Sequence, residues 1–383
     1  MKKKAKLYVY PFILFSFLTL SLNFLSLGGV QISIAFLFLL TIILLPNLSR
    51  KNILISGLIM IYVLFIGLTQ IMYLDTIEFL KTLLLLLFAV LFFTSALSCN
   101  VSNIKKELLI RTLKVSSLLI VTFEVIQVIE LTIFKSDNLL FALDNFSIST
   151  AESSERFQAV NLLWYIRPLS FYHEPSYLSS VLIIHSLCLH LLGNEKFTQI
   201  LIFFGIILSI SITGYLFYLI FLLYAFNLKY KLAFKVVLPI LLILLTLYQY
   251  ELILEIFRLD EILLKGSSAW ARIMKPFLEI KYEIQTYYSI FGRALGNTRI
   301  VYDNSLFVLI AYFGLLTPLI LLLPIHFIYK KYGLQKTVIF IIAFGNLLFL
   351  NGAILTPESM FLLIIIIICI RLNNQKAKNI KLA

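Results

Sequence analysis

The residues best suited to chemistry stand in two short clusters, each directly before a long apolar run. The first cluster reads Arg167-Pro168-Leu169-Ser170-Phe171-Tyr172-His173-Glu174-Pro175. An arginine holds phosphate oxygens with a planar pair of N–H donors and does not lose its charge. A nearby carboxylate or imidazole can take a proton from a hydroxyl. This cluster therefore offers a cation for a departing phosphate and a base for an attacking hydroxyl.

The second cluster is spread over residues 267–305 and repeats these residue types. Arg272 follows a serine-rich stretch, and a glycine stands on each side of Arg293, where the backbone can turn sharply or approach a ligand. Asp303 and Asn304 then open the next apolar run. Stabilising the charge on a leaving group is commonly the largest catalytic contribution, so we interpret the arginines as the electrostatic part of a site.

Three side chains can serve as the base, namely Glu174, His173 and Asp303. Glu174 is the first choice, because an acid at the edge of an apolar span is costly unless it is paired or has a function. An interfacial salt bridge that anchors the helix is the structural alternative for the same residue. The long polar stretches contain no Asp-x-Asp pair for magnesium, so the sequence favours a mechanism without metal or cofactor.

Composition places these clusters in a membrane protein. Apolar residues make up 61% of the 383 residues, charged residues 13%, and the mean hydropathy is +1.00. A soluble domain carries roughly a quarter charged residues. The net charge of +13 does not indicate nucleic acid as a partner, because the basic residues cluster in short gaps between apolar runs. That distribution follows the positive-inside rule and marks the cytoplasmic side of a multi-pass protein.

Apolar windows predict an all-α, polytopic fold with about 12 spans and both termini in the cytoplasm. Ten windows are 8–27, 30–46, 53–72, 79–98, 108–134, 172–192, 233–250, 304–328, 336–351 and 354–370. The segment 197–228 would be about 46 Å long as one helix, against a hydrocarbon core of about 30 Å. Lysines on both sides of it require an even number of crossings. Two short helices that meet near Ser211, Thr213 and Gly214 satisfy both conditions.

On this topology residues 1–383 form a single integral membrane domain with two large outward-facing loops, Lys135–Ser170 and Glu251–Asp303. Long loops without evident structure are usually functional, and these two carry the candidate active site. The second loop contains an amphipathic helix near residues 275–291 that lies in the membrane interface or packs on its own loop.

Some other polar residues within spans have no assigned chemistry. His185, His190 and His326 are interpreted as packed or interfacial histidines. Glu124, in the middle of the fifth span, is unexplained apart from a structural pairing with a neighbouring helix.

The two clusters resemble those of the O-antigen polymerase and ligase superfamily, which includes the Wzy-type repeat-unit polymerases of bacterial polysaccharide assembly. Three features carry the resemblance: an Arg before an aromatic-x-Glu-Pro motif, an Arg after serines, and a Gly-x-x-x-Gly segment leading to an Asn. Here they are Arg167 with residues 171–175, residues 267–272, and residues 292–304. The ligase branch has His before the Asn, whereas this sequence has Asp303, which favours the polymerase.

The resemblance implies a GT-C-like glycosyltransferase of the bacterial cytoplasmic membrane. It would polymerise undecaprenyl-pyrophosphate-linked repeat units of O-antigen, capsule, lipopolysaccharide or another exopolysaccharide, with inversion. Arg167, Arg272 and Arg293 would bind the pyrophosphate, and Tyr172 and Asn304 would contact other parts of the substrate. Expected partners are membrane lipid, a chain-length regulator and a flippase.

Three alternatives stay open: a lipid-linked saccharide flippase or transporter, an O-antigen ligase, and another kind of integral membrane enzyme. Transporters usually show internal repeats and charges near the midplane. No such repeat is evident in this sequence.

Overall fold

The computed structural model describes residues 9–20, 23–27, 30–33, 76–99, 104–134, 170–172, 175–193, 195–209, 211–229, 317–349 and 357–382, with a few isolated residues elsewhere. The helices within these ranges are α1 (Val9–Leu18), α2 (Thr76–Ser98), α3 (Lys106–Ile129), α4 (Pro175–Leu192), α5 (Lys196–Leu208), α6 (Ile212–Lys229), α7 (Thr317–Tyr332), α8 (Leu334–Leu348) and α9 (Pro357–Leu382). A π-helical turn, Glu130–Phe134, continues α3. The described fold is thus helical apart from one pair of strands.

That pair of strands corrects the bounds of the first two predicted spans. Helix α1 ends at Leu18, and β1 (Asn23–Leu27) pairs antiparallel with β2 (Val30–Ser33). Leu27 stands opposite Val30, and the register is irregular between Asn23 and Leu25. A hydropathy window counts apolar residues but not their periodicity, so it extended the first predicted span beyond Leu18 and began the second at residue 30. The sequence between the strands is Gly-Gly, a pair that favours tight connections between antiparallel strands.

Helix α4 is the centre of the described fold. It packs against α3, α5, α6, α8 and α9, and all its residues except Pro175 and His190 are buried. Proline is favoured at a first helical position because its missing N–H would have no partner there. Serines at 176, 179, 180 and 186 are small enough to let neighbouring helices approach closely. A helix that is apolar on all sides belongs in an interior, and α4 occupies one.

The predicted pair of short helices near Ser211 is confirmed as α5 and α6. Along α5, Gln199 bonds to Ser186 near the Leu192 end of α4, and Ser211, just after α5, bonds to Ser179 near the Pro175 end. Helix α6 then runs the other way. Gly214 lies against Ser179, and the rings of Phe221 and Tyr224 contact His190. The two helices are antiparallel, so the chain enters and leaves this hairpin at the same end of α4.

The distribution of polar and apolar side chains is that of a membrane protein. The buried face of α3 carries polar residues, while its exposed face carries large apolar ones. Those exposed side chains include Val115, Leu118, Leu119, Val125, Ile126, Ile129, Ile133 and Phe134. Water would make such a surface unfavourable, whereas lipid solvates it. Within the described residues, Lys106–Phe134 and Pro175–Leu192 are long and apolar enough to cross a bilayer, and shorter apolar helices surround them.

Several other predicted spans agree with observed helices in their approximate bounds. Helices α2, α3, α8 and α9 cover the windows 79–98, 108–134, 336–351 and 354–370 to within a few residues, except that α9 continues to Leu382. The window 304–328 is described in part, with α7 beginning at Thr317. The window 233–250, most of 30–46 and 53–72, and the amphipathic helix near 275–291 lie outside the described residues.

Candidate active site

The described part of the candidate site is the turn Ser170–Tyr172, which two residues separate from the first residue of α4, Pro175. Ser170 adopts a left-handed backbone conformation with φ of 53°, the one positive φ of a non-glycine residue in the described ranges. L-residues other than Asn and Asp rarely adopt this region, because their Cβ crowds the backbone. Such a conformation persists where surrounding contacts hold it in place.

Gln127, on the buried face of α3, supplies two of these contacts. The backbone N–H of Ser170 donates to Gln127 Oε1 at 2.6 Å, and Gln127 Nε2 donates to the Ser170 carbonyl at 3.1 Å. The Ser170 hydroxyl donates to the carbonyl oxygen of Ile120 at 2.8 Å. Both main-chain groups of Ser170 are thus satisfied by one side chain, as buried backbone outside a helix or sheet requires.

The next two residues of the turn, Phe171 and Tyr172, contact α3 and α1. Phe171 stacks on Phe123 of α3, with ring centroids 4.5 Å apart and an interplanar angle of 13°. The Tyr172 hydroxyl donates to the carbonyl of Phe17 in α1 at 2.9 Å, and only 3% of Tyr172 is exposed. Its predicted contact with substrate stays a prediction. In this structure Tyr172 ties the turn to α1.

The residues of α3 that precede Gln127 include a strip of buried polar side chains, which faces α4 and α5. The His185 ring lies 3.0 Å from Ser117 Oγ and 3.4 Å from Ser116 Oγ, with Phe17 against its edge. His185 is therefore a packed histidine, as predicted, and His190 likewise contacts aromatic rings of α6.

Glu124 stands on the same face of α3, between Ile120 and Gln127, and is fully buried. Its carboxylate approaches Gly205 of α5, where a Cβ would lie 3.1 Å from Glu124 Oε2. Within the described residues neither carboxylate oxygen has a hydrogen-bond partner. The predicted pairing with a neighbouring helix is therefore not found in the part of the chain that is described, where the carboxylate only packs closely against α5.

The start of α4 also meets the tip of the α5–α6 hairpin. The Ser179 hydroxyl donates to Ser211 Oγ at 3.0 Å, and the Gly214 N–H donates to the same oxygen at 3.2 Å. On another side, Ser180 Oγ donates to Asn346 Oδ1 of α8 at 3.2 Å. Polar contacts from the hairpin tip and from α8 therefore fix the first turns of the helix that follows the cluster.

The other predicted site residues lie outside the described residues: Glu174, His173, Asp303, Arg167, Arg272, Arg293 and Asn304. How these side chains lie relative to each other stays a prediction. In the described ranges no group of three or more His, Cys, Asp or Glu side chains is placed to hold a metal ion.

Comparison with known families decides the class of protein. The sequence matches the WcaD colanic acid polymerase family over residues 9–372, which is nearly the whole chain and includes both clusters. The chain belongs to the WcaD colanic acid polymerase family. The predicted recognition of a repeat-unit polymerase is thereby confirmed. No curated protein and no solved structure matches the chain significantly.

Membership of the WcaD family establishes the general activity. The protein polymerises lipid-linked repeat units of a polysaccharide and is a glycosyltransferase of the membrane. Its substrate is a lipid-linked oligosaccharide. The family therefore favours the polymerase over the flippase and ligase alternatives, in agreement with the Asp at position 303.

Sequence reasoning assigned no contact to two residues beside the candidate site of this WcaD-family chain: Gln127 was not singled out, and Ser170 was named only as part of the first cluster. Gln127 follows Glu124 by three residues, so both fall on the face of α3 that also carries Ser116 and Ser117. A polar stripe along an apolar span signals contact with polar groups of another element. That signal could have shown that Gln127 has a partner, although it does not name Ser170, 43 residues away.

Proposed function

We propose that the protein transfers the growing glycan from its undecaprenyl pyrophosphate carrier to a sugar hydroxyl of the next lipid-linked repeat unit. The transfer takes place on the outer side of the bacterial cytoplasmic membrane and needs no metal. The observation that carries the proposal is the fixed turn Ser170–Tyr172, which directly precedes His173 and Glu174 in a chain of the WcaD family. A reacting group must be positioned to within fractions of an ångström, which requires a rigid support of this kind.

In the proposed step, Glu174 accepts the proton of the acceptor hydroxyl, whose oxygen forms a bond to the anomeric carbon of the donor. The bond from that carbon to the pyrophosphate oxygen breaks, and the electron pair leaves with the lipid pyrophosphate. Arg167 and Arg272 bind the departing charge, with Arg293 as a third cation. A single displacement inverts the anomeric configuration. His173 and Asp303 are the alternative bases, and Tyr172 and Asn304 contact other parts of the substrate.

The proposed topology has about 12 spans in one GT-C-like membrane domain, both termini in the cytoplasm, and the loops 135–170 and 251–303 outside. The antiparallel α5–α6 hairpin supports it, because Lys196 and Lys229 must share a side. A cysteine introduced at Ser153 is expected to react with an impermeant maleimide in intact spheroplasts. Labelling only after permeabilisation would contradict the proposed orientation. A chain-length regulator and a flippase are proposed partners.

The roles of the arginines are tested by Arg167→Lys and Arg272→Lys. Lysine keeps the charge but loses the paired donors. Each Lys variant is therefore expected to have almost as little polymerase activity as the Ala variant at the same position. The measurement is polymer length and amount at matched protein levels. Full polymer formation by both Lys variants would exclude bidentate phosphate binding by these two residues.

The reaction itself is tested with purified protein, lipid-linked repeat units and a chelator of divalent metals. Chains longer than one repeat are expected with the wild-type protein, and their loss is expected with Glu174→Gln. A requirement for added divalent metal would exclude the metal-free mechanism. Undiminished polymer from Glu174→Gln would exclude Glu174 as the base and leave His173 and Asp303.

A further inference from the structure

We infer that Gln127 is a positioning residue for the transfer reaction, which it assists by fixing the backbone of Ser170 and hence the start of the segment that carries Glu174. The inference rests on the proposed function, because it acts through the base proposed there. Gln127 lies on α3, 43 residues before Ser170 in the sequence, and is completely buried.

The first argument is that Gln127 bonds to the backbone itself. Its amide accepts from the Ser170 N–H and donates to the Ser170 carbonyl, which is the pattern that a neighbouring β-strand would supply. A side chain that only filled space between helices would not need to match both groups of one residue. Deleting the amide leaves a buried donor and a buried acceptor unsatisfied, and unsatisfied buried groups favour rearrangement of the segment.

The second argument concerns conformation. The left-handed φ of Ser170 is unfavourable for a residue with a Cβ, and three hydrogen bonds from α3 hold it there. Without them, the backbone at Ser170 relaxes toward the common regions of φ and ψ. Glu174 follows only four residues later. A rotation at Ser170 therefore changes the direction in which the chain leaves the turn toward the proposed base.

The third argument is a comparison within the same fold. Gln199 of α5 also makes two hydrogen bonds to one residue, because Nε2 donates to the Ser186 carbonyl at 2.9 Å and the Ser186 hydroxyl donates to Oε1. Ser186 belongs to regular helix α4, in the half nearer Leu192. Gln199 thus joins two helices away from the candidate site. It is the matched control for Gln127.

The experiment compares Gln127→Met with Gln199→Met in the purified full-length polymerase. Methionine keeps the length and the helix propensity of glutamine but makes neither hydrogen bond. Both variants are expected to lower the melting temperature. Only Gln127→Met is expected to lower kcat, by about ten- to a hundredfold with little change in KM, since a misplaced reacting group costs that much. A kcat within about twofold of wild type, or an equal fall in Gln199→Met, would overturn the inference.

If Gln127→Met does not accumulate, Gln127→Asn replaces it. Asparagine keeps an amide on the buried face of α3 but withdraws it by one methylene, about 1.5 Å, so it cannot reach both groups of Ser170. A smaller fall in kcat is expected, again with KM nearly unchanged. Wild-type kcat in a folded Gln127→Asn would contradict the positioning role.

A double-mutant cycle separates positioning from general stability. In a Glu174→Gln background, Gln127→Met is expected to reduce the residual rate by less than about twofold, because the group that it positions is already disabled. Independent, multiplicative losses would overturn the inference while leaving the proposed function standing. Full activity of Glu174→Gln, or no polymer from the wild-type protein, would overturn both.

Discussion

The two ends of α4 are both held by polar contacts, but they are held in different ways. At the Pro175 end, Gln127 and Phe17 bind Ser170 and Tyr172, which belong to no helix or strand. At the Leu192 end, Gln199 bonds to Ser186 within the helix, and an ion pair joins Lys114 to Glu195 beside the next helix. One set of contacts fixes irregular backbone, and the other joins regular helices to each other.

This difference follows from the requirements of backbone in a membrane. A helix satisfies its own N–H and C=O groups, so only its side chains need partners. In a buried turn the main-chain groups have no helical partners, so each needs a donor or an acceptor from another element. The Pro175 end therefore requires more specific contacts, and the fold retains them beside the cluster that the resemblance identifies as catalytic. Irregular, tightly held backbone is typical of functional sites.

The largest effect is expected from overfilling the packing at the Pro175 end. In Gly214→Val the new Cβ would lie 2.5 Å from the Ser179 Cβ, so α4 and α6 must separate. We expect a loss of about 3 kcal/mol, measured as failure to accumulate or to elute as a monodisperse protein in detergent. The control is Gly57→Ala, since no atom of the other described residues lies within 4 Å of the position that its Cβ would take. If Gly214→Val were as stable as the wild-type protein, the packing at the Pro175 end would accommodate added volume as an exposed surface does.

A smaller effect is expected from removing one tyrosine hydroxyl at each end. Tyr172→Phe deletes a buried hydrogen bond to the Phe17 carbonyl, while Tyr224→Phe deletes a more exposed bond to the Gln335 carbonyl. A buried acceptor left without a partner costs about 1–2 kcal/mol, whereas water replaces an exposed donor. Thermal unfolding should show a clear fall for Tyr172→Phe and almost none for Tyr224→Phe.

Activity sharpens this second test, because Tyr172 is two residues from Glu174 and Tyr224 is at the far end of the hairpin. Tyr172→Phe should lower the polymerisation rate more than its stability loss explains. Equal falls in rate for both variants would remove the distinction between the two ends.

The smallest effect is expected from the ion pair at the Leu192 end. Lys114 Nζ lies 2.9 Å from Glu195 Oε2, but about two fifths of each side chain is exposed. Exposed ion pairs contribute less than about 1 kcal/mol and are screened by salt. Lys114→Ala should therefore leave polymer length unchanged and lower the melting temperature slightly at low salt only. A loss of activity would show that this end also supports the reaction.

Much of the fold was determined by the sequence alone. Hydropathy is a local property, so runs of apolar residues located α2, α3, α4, α8 and α9, and the basic gaps required α5 and α6 to return to one side. The motifs around Arg167 and Asp303 indicated the family that the comparison then confirmed. These features depend on residue type and order, which a linear sequence contains in full.

Tertiary structure decided which polar groups meet. Residues 23–27 and 30–33 form strands where the sequence predicted helix, because the two segments pair with each other. Window averages of hydropathy do not register such pairing. A glutamine in an apolar span indicates that some partner exists, but the partner depends on which helix faces come together. Only packing brought Gln127 to Ser170, across 43 residues, and set the left-handed turn before Glu174. Hydrogen bonds are short and directional, so the sequence specifies them only through the complete fold.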